Sequence, residues 1–295
     1  MTAARPQKST NVRTQVRIAR GALRALGVVS PPLAGRVALH LFTQTARRAP
    51  REGERDALCR AVRFVVPFER ERLVAWSWGR GPAVLLAHGW NGRGTQLAPF
   101  VGPLVGAGLR VIAFDNVGHG DSTGAHATLA DFARAITRVA DAVGGAHAVI
   151  AHSLGGAATA IAVHDGLALE RAVLIASPTD PMRWVAHFSE LLALDPRVEA
   201  PFRDALAERA GRPPSALRLE ALAPRLRVPM LAIHDTDDRE VPVAASVALT
   251  RAWTGSALVT TSGLGHQRIL CDPDVIARSV RFVAEPLSRR EGAPA

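Results

Sequence analysis

Short apolar runs separated by longer amphipathic stretches set the rhythm of the chain from residue 83 onward. Residues 83–87, 110–114, 148–151, 172–176, 230–233 and 258–261 are continuous, largely apolar runs. That is how strands buried on both faces read. Their alternation with helical stretches predicts an α/β fold with a mostly parallel central sheet flanked by helices. Just upstream, residues 63–68 and 72–78 are short β-branched or aromatic runs and predict a β-ribbon. One stretch breaks the rhythm. Residues 178–227 are helical, with no strand inside, and read as a short inserted cap. The first sixty residues read as helices. Val12, Val16, Ala19, Leu23 and Leu26 recur at helical spacing, with Arg13, Arg17, Arg20 and Arg24 as a stripe beside them. Ser30-Pro31 reads as the cap and first turn of a second helix through Leu33, Val37 and Leu41. The expected organisation is an N-terminal basic helical arm over 1–62, an α/β domain over 63–287 with its cap at about 178–227, and a disordered tail over 288–295.

Composition narrows the class. The 295 residues are 48% hydrophobic and 21% charged, which suits a globular chain with a sizeable core. The net charge of +10 is not spread evenly. Nine of the 36 Lys and Arg residues fall in residues 1–48, where no Asp or Glu occurs, so the remainder is close to neutral. A nucleic-acid enzyme carries its basic charge around the cleft, and no nucleic-acid partner is expected. Cys59 and Cys271 show no metal or redox spacing and read as reduced thiols. No run of 18 apolar residues occurs, and the start lacks the apolar core of a secretory signal. A cytoplasmic location is expected, although an Arg-rich, acid-poor start is also what a transit peptide has.

Five segments carry candidate chemistry. In HAVIAHSLGG (147–156) an apolar run ends at Ala151, Ser153 follows, and Gly155-Gly156 opens an Ala-rich helix. Such a strand–turn–helix lifts a serine hydroxyl clear of a sheet and needs small neighbours where the backbones approach. VLLAHGWNGRG (84–94) follows the first parallel strand, and its glycines let a loop fold tightly. FDNVGHGDSTG (114–124) reads as a tight turn, and VPMLAIHDTDDREVP (228–242) ends a strand in an acidic cluster. That cluster lacks the glycine and closing glutamate of a calcium loop. LVTTSGLGHQRIL (258–270) runs from a strand into a Gly-rich loop carrying His266.

Together these segments, from about residue 63 to 286, resemble an α/β-hydrolase of the broad group with a short helical cap that contains esterases, lipase-like enzymes and serine aminopeptidase-like members. Ala151 stands where the family's elbow begins with glycine, and Asp235 replaces a common glycine. The resemblance implies Ser153 as nucleophile, His266 as general base and Asp238 as the acid, in the chain order of this fold. Asp238 fits the spacing of an acid, two residues, then Val241-Pro242. Asp237 is the competing assignment and Asp180 a distant third. The backbone N–H groups of Trp90 and Leu154 would form the oxyanion hole. His88 is expected to be structural, and no role is assigned to His119.

The implied activity is cleavage of a carboxylic ester or related acyl bond through an acyl-enzyme, on a small-molecule substrate, with no metal and no organic cofactor. Peptide, amide, thioester or C–C bond hydrolysis and acyl transfer use the same triad and stay open. So does a non-catalytic binding protein on a hydrolase scaffold. In the cap, Met182, Val185, Phe188, Leu191 and Leu192 recur at roughly helical spacing; Trp184 and Phe188 are the candidate substrate-binding residues. For the basic arm two roles compete, weak contact with an anionic membrane surface and packing on the protein with the arginines in water. Packing is favoured.

Overall fold

The computed structural model describes residues 8–285, with side chains from residue 13. Its elements in chain order begin with the helices α1 (Lys8–Val29), α2 (Pro31–Thr43) and α3 (Glu52–Leu58). There follow β1 (Val62–Phe68), β2 (Glu71–Trp78), β3 (Ala83–Ala87), α4 (Val101–Gly106), β4 (Arg110–Phe114) and α5 (Leu129–Ala142). Next come β5 (Ala148–His152), α6 (Leu154–His164), β6 (Arg171–Ile175), α7 (Met182–Leu192), α8 (Pro196–Ala210) and α9 (Leu219–Leu222). The chain closes with β7 (Met230–Asp235), α10 (Ala244–Ala252), β8 (Ser256–Thr261), the one-turn α11 (Gly265–Arg268) and α12 (Pro273–Ala284). Two compact units result, one of residues 8–44 and 180–218 and one of residues 45–179 and 219–285. The expected tail from 288 lies outside the described residues.

The larger unit is the α/β domain. Its eight strands form one sheet in the order β1-β2-β4-β3-β5-β6-β7-β8. β1 pairs antiparallel with β2 and β2 with β4, while every pairing from β4 through β8 is parallel. Strands β3, β5, β6 and β7 are buried along their whole length, because helices cover both faces. Val84, Leu86, Ile150, Val173, Ile175 and Ile233 belong to the core on one face. Helix α5 starts in a capping box, with Thr128 and Asp131 each satisfying the other's backbone N–H. Between β4, β3 and β5 the strand order reverses, which opens a crevice at the carboxyl ends of β3 and β5.

The helical unit joins two segments far apart in sequence. Leu23 of α1 and Ala38 of α2 share a buried cluster with Val185 and Leu192 of α7 and Phe202 and Leu206 of α8; Val16, Ala19 and Phe42 pack on its edge. Gly35 permits the close approach of α2 to α8. A Cβ there would sit 2.7 Å from the Phe202 backbone nitrogen and from the Pro201 Cβ.

The boundaries differ from those expected. Residues 45–61 belong to the α/β unit because Thr45 binds the carbonyls of Gly118 and Ala125 and Glu54 of α3 binds Thr95. The insertion spans 180–218 instead of 178–227. Leu219 N–H donates to the Thr179 carbonyl at 2.8 Å, so the chain leaves and re-enters the α/β unit at adjacent points.

Leu23 is only 3% exposed, so Leu23→Ala should lower the unfolding free energy by about 2–5 kcal/mol in a urea titration. Arg24→Ala on the exposed face should change it by no more than about 0.5 kcal/mol. Equal, small effects would show that α1 is not part of a packed unit.

Candidate active site

Strand β5 ends at His152 and α6 starts at Leu154, which leaves Ser153 to make the whole turn. It does so at φ 52°, ψ −124°, a left-handed conformation that costs a non-glycine residue about 1–3 kcal/mol. The turn is held by Ser153 N–H donating to the Ile175 carbonyl at 2.9 Å and Gly156 N–H to the Ser153 carbonyl at 2.9 Å. Gly155 allows α6 to approach the end of β3, since a Cβ there would lie 2.5 Å from the Ala87 carbonyl oxygen. Ala151 fits within β5, fully buried between Ala87 and Leu174 on its neighbours.

The loop after β3 lies against this turn. A Cβ on Gly89 would be 2.9 Å from Ser153 Cβ and 3.4 Å from its Oγ, so the loop backbone and the hydroxyl are neighbours. The N–H of Leu154 opens α6 and has no intrahelical acceptor. The N–H of Trp90 has no acceptor among the described residues. The Trp90 ring stacks on Phe132 and meets His119 edge-on.

Two buried imidazoles brace this loop. His88 Nδ1–H donates to the Gly89 carbonyl at 2.7 Å, and its Nε2 accepts from Asn116 N–H at 2.9 Å. His119 Nδ1–H donates to the Val117 carbonyl at 2.9 Å, and its Nε2 accepts from Asn91 N–H at 3.1 Å. Beneath the loop, Arg93 is 1% exposed and binds Thr95 Oγ1 and the Arg48 carbonyl, with Asp115 at 3.7 Å. Asp115 in turn accepts from the N–H groups of Gly94 and Asp121, each at 2.7 Å.

The carboxylates after β7 divide into distinct tasks. Asp238 Oδ2 accepts from His266 Nδ1–H at 2.7 Å, and its Oδ1 accepts from the N–H groups of Glu240 and Val241. Asp237 reaches the N–H of Gly263. Asp235 is fully buried and accepts from Thr261 Oγ1 and from the N–H groups of Asp237, Leu264 and Gly265. Burial alone would raise its pKa, but donors from Gly265, Thr261, Leu264 and Asp237 together hold it below the ordinary carboxylate range. It ties the segment that leads into α11, which carries His266, to the loop that carries Asp238. Asp180 lies in the helical unit, where it binds Arg218 at 2.7 Å and the N–H of Met182.

Three features escaped sequence reasoning. His152, next to Ser153, is buried; its Nε2–H donates to the His266 carbonyl at 2.9 Å, and the two rings lie 4.7 Å apart. Glu240 places Oε2 3.8 Å from His266 Nε2. His266 itself sits on α11 instead of in an open loop. The positions of His152 beside the serine and Glu240 two residues after Asp238 were the available signals. No hydrogen bond joins Ser153 Oγ to His266 among the described residues; the neighbouring His152 bonds to the His266 backbone carbonyl.

Trp184 and Phe188 both lie on α7. Phe188 packs against Phe42 and Phe202, with ring centroids at 5.1 and 5.3 Å, so its ring belongs to the core of the helical unit. Trp184 is 43% exposed. Among the described residues no group of three His, Cys, Asp or Glu is placed to hold a metal ion. No described helix is long and apolar enough to cross a membrane.

Comparison with known proteins agrees with this architecture. Residues 84–279 match the model of the Alpha/beta hydrolase family, and the chain belongs to that family, which makes it a hydrolase. Solved structures similar to it include the esterase RhEst1 from a Rhodococcus species, at 21% identity over 77% of this chain and 99% of that one with a TM-score of 0.58. The carboxylesterase CesB from Bacillus subtilis is 18% identical over 79% of this chain and 96% of that one, with a TM-score of 0.59. An esterase from Exiguobacterium antarcticum is 18% identical over 75% and 99%, with a TM-score of 0.58. At such identities the likeness establishes the fold. A comparison with curated proteins finds no match.

The buried imidazoles fix how stability responds to acid. Burial lowers the pKa of His119 from 6.5 to about 4. Burial, with the neighbouring His266 adding to it, takes His152 to about 3. Burial also holds His88 well below its ordinary value. The unfolded chain therefore binds protons near pH 6.5 that the folded protein refuses, and stability is lost as pH falls from 6.5 toward 4. Burial holds His234 below its ordinary value as well. Burial raises Asp115 to about 6 against the pull of Arg93, an opposite contribution from one group against four histidines. The urea midpoint should fall between pH 7 and pH 5, and less steeply in His119→Gln. A midpoint that is flat or rises toward pH 5 would contradict this balance.

Proposed function

We propose that the chain is a serine-dependent hydrolase that cleaves a carboxylic ester through a Ser153–His266–Asp238 triad. The observation that carries the reading is the 2.7 Å contact between His266 Nδ1 and Asp238 Oδ2, beside a serine held at φ 52° on a strand-to-helix turn. Hydrogen bonding at Nδ1 fixes the imidazole tautomer and leaves Nε2 to take the Ser153 proton. Ser153 Oγ attacks the acyl carbon, and the carbonyl oxygen becomes an oxyanion that accepts from the N–H groups of Trp90 and Leu154. Collapse expels the leaving alcohol with the proton from His266. Water then attacks the acyl-enzyme by the same steps and releases the acid.

The His88 and His119 contacts would hold the oxyanion loop in one geometry, so that its donors need not reorganise as charge develops. Asp235 would act through the two loops it joins. Ester cleavage is favoured over amide, thioester or C–C bond cleavage because structures of similar fold include an esterase from Rhodococcus and a carboxylesterase from Bacillus subtilis. Of the two aromatic candidates for substrate contact, Trp184 is exposed and Phe188 is packed within the core of its own unit.

Hydrolysis of a chromogenic short-chain ester tests the assignment. Ser153→Ala and Asp238→Asn should each reduce kcat by about 10⁴-fold or more, with Asp237→Asn within about ten-fold of wild type. Near-normal turnover by Ser153→Ala would refute the nucleophile, and a larger loss from Asp237→Asn than from Asp238→Asn would refute the acid.

A further inference from the structure

Helix α1 carries three stripes, where an ordinary surface helix carries two. Val16, Ala19 and Leu23 pack in the core of the helical unit, and Leu26 is half-buried on the same side of the helix. Arg13, Arg17, Arg20 and Arg24 form a second stripe and are all exposed. The third stripe is Ile18, Ala22, Ala25 and Val29, at i, i+4, i+7 and i+11, and is also exposed. At 3.6 residues per turn the three stripes lie roughly 120° apart. The third is apolar and faces solvent. Val28, Leu33 and Val37 continue exposed apolar surface at the end of α1 and onto α2. Of the ten large apolar side chains that are most exposed among the described residues, five are Ile18, Val28, Val29, Leu33 and Val37. Their exposures run from 36% at Val37 to 83% at Val29. Single exposed apolar residues are ordinary, but a cluster on one hairpin marks a contact surface.

The charge beside this patch selects the partner. No acidic residue occurs in residues 1–48. Arg20 donates to the Leu191 carbonyl, whereas Arg13, Arg17, Arg24 and Arg36 have no carboxylate partner among the described residues. We propose that the exposed face of α1 and the start of α2 is a docking surface for an anionic phospholipid bilayer. α1 would lie in the plane of the interface, with Ile18, Ala22, Ala25 and Val29 dipping below the headgroups. The arginines beside it reach lipid phosphates at the headgroup level.

Other occupants fit less well. A single-stranded nucleic acid would call for aromatic platforms, and a duplex bound through its phosphates would leave the apolar stripe of Ile18, Ala22, Ala25 and Val29 uncovered. A two-fold dimer through the same patch would bring one basic stripe close to its own copy. The apolar residues are small, so hydrophobic insertion alone gives a weak anchor, and binding depends on charge as well. Attachment therefore weakens as the screening length falls from about 10 Å at 0.1 M salt to about 3 Å at 1 M.

Co-sedimentation of the full-length protein with vesicles of phosphatidylcholine, with or without phosphatidylserine, tests this. At low salt the protein should pellet with the phosphatidylserine vesicles, fail to pellet with phosphatidylcholine alone, and be released by 1 M salt. The double variant Ile18→Asp, Val29→Asp should lose about ten-fold or more in apparent vesicle affinity. So should the triple variant Arg13→Gln, Arg17→Gln, Arg24→Gln, which leaves every apolar contact in place. Unchanged thermal midpoints show that both variants are folded, and if the aspartate pair does not fold, the glutamine variant decides. Absence of wild-type binding to anionic vesicles, or wild-type affinity in the folded variants, would overturn the proposal. A wild-type dimer that Ile18→Asp, Val29→Asp converts to monomer, with no vesicle binding, would assign the patch to a second copy instead.

Discussion

The Nδ1–H of His266 donating to Asp238 is the contact on which the proposed site depends, and much of the surrounding hydrogen bonding converges on it. Both residues lie on segments that follow strands, and neither segment is regular enough to hold itself in place. Asp235 supplies the missing rigidity. Its carboxylate is shared by Thr261, Leu264 and Gly265 on one segment and Asp237 on the other, so the segments after β7 and β8 are tied to each other. His234 adds support from below, binding Ser246 and the Val241 carbonyl. His152 fixes the far side by donating to the His266 carbonyl. A buried polar arrangement of this kind is costly where incomplete and rigid where complete.

The opposite wall of the crevice follows the same logic with different groups. The loop after β3 is braced by its own side chains and by the turn after β4. It is held by His88 and His119, both neutral and both fixed in one tautomer by a donor on one nitrogen and an acceptor on the other. Protonation would turn the accepting nitrogen into a donor facing another donor. Burial prevents that over the neutral range. One wall follows β3 and the other follows β7 and β8, with Ser153 at the carboxyl end of β5 between them, next to the point where the strand order reverses.

Much of this was legible in the sequence because it is local. Strands buried on both faces announce themselves as apolar runs, and each functional segment follows such a run directly. The glycines at 155 and 156 mark close backbone approach, as their contacts with Ala87 and Ser177 bear out. What was not legible depends on contacts between distant segments. Three closely spaced aspartates at 235, 237 and 238 differ in which loop residues they meet. Nothing in residues 8–44 says that they will share a core with residues 180–218, since Leu23 and Phe202 carry no mark of each other. The exposed stripe of Ile18 and Val29 was hidden for a related reason. A periodic apolar pattern shows which residues lie on one face, and only the fold shows which face is covered.

Covalent trapping of the nucleophile tests the central claim most directly. A fluorophosphonate reacts with a serine hydroxyl that an adjacent base has activated and spares an ordinary surface serine. The intact protein should gain the mass of one phosphonyl group, and peptide mapping should place it on Ser153, with labelling lost in His266→Ala. An adduct on another residue, or no adduct in a folded sample, would contradict the account.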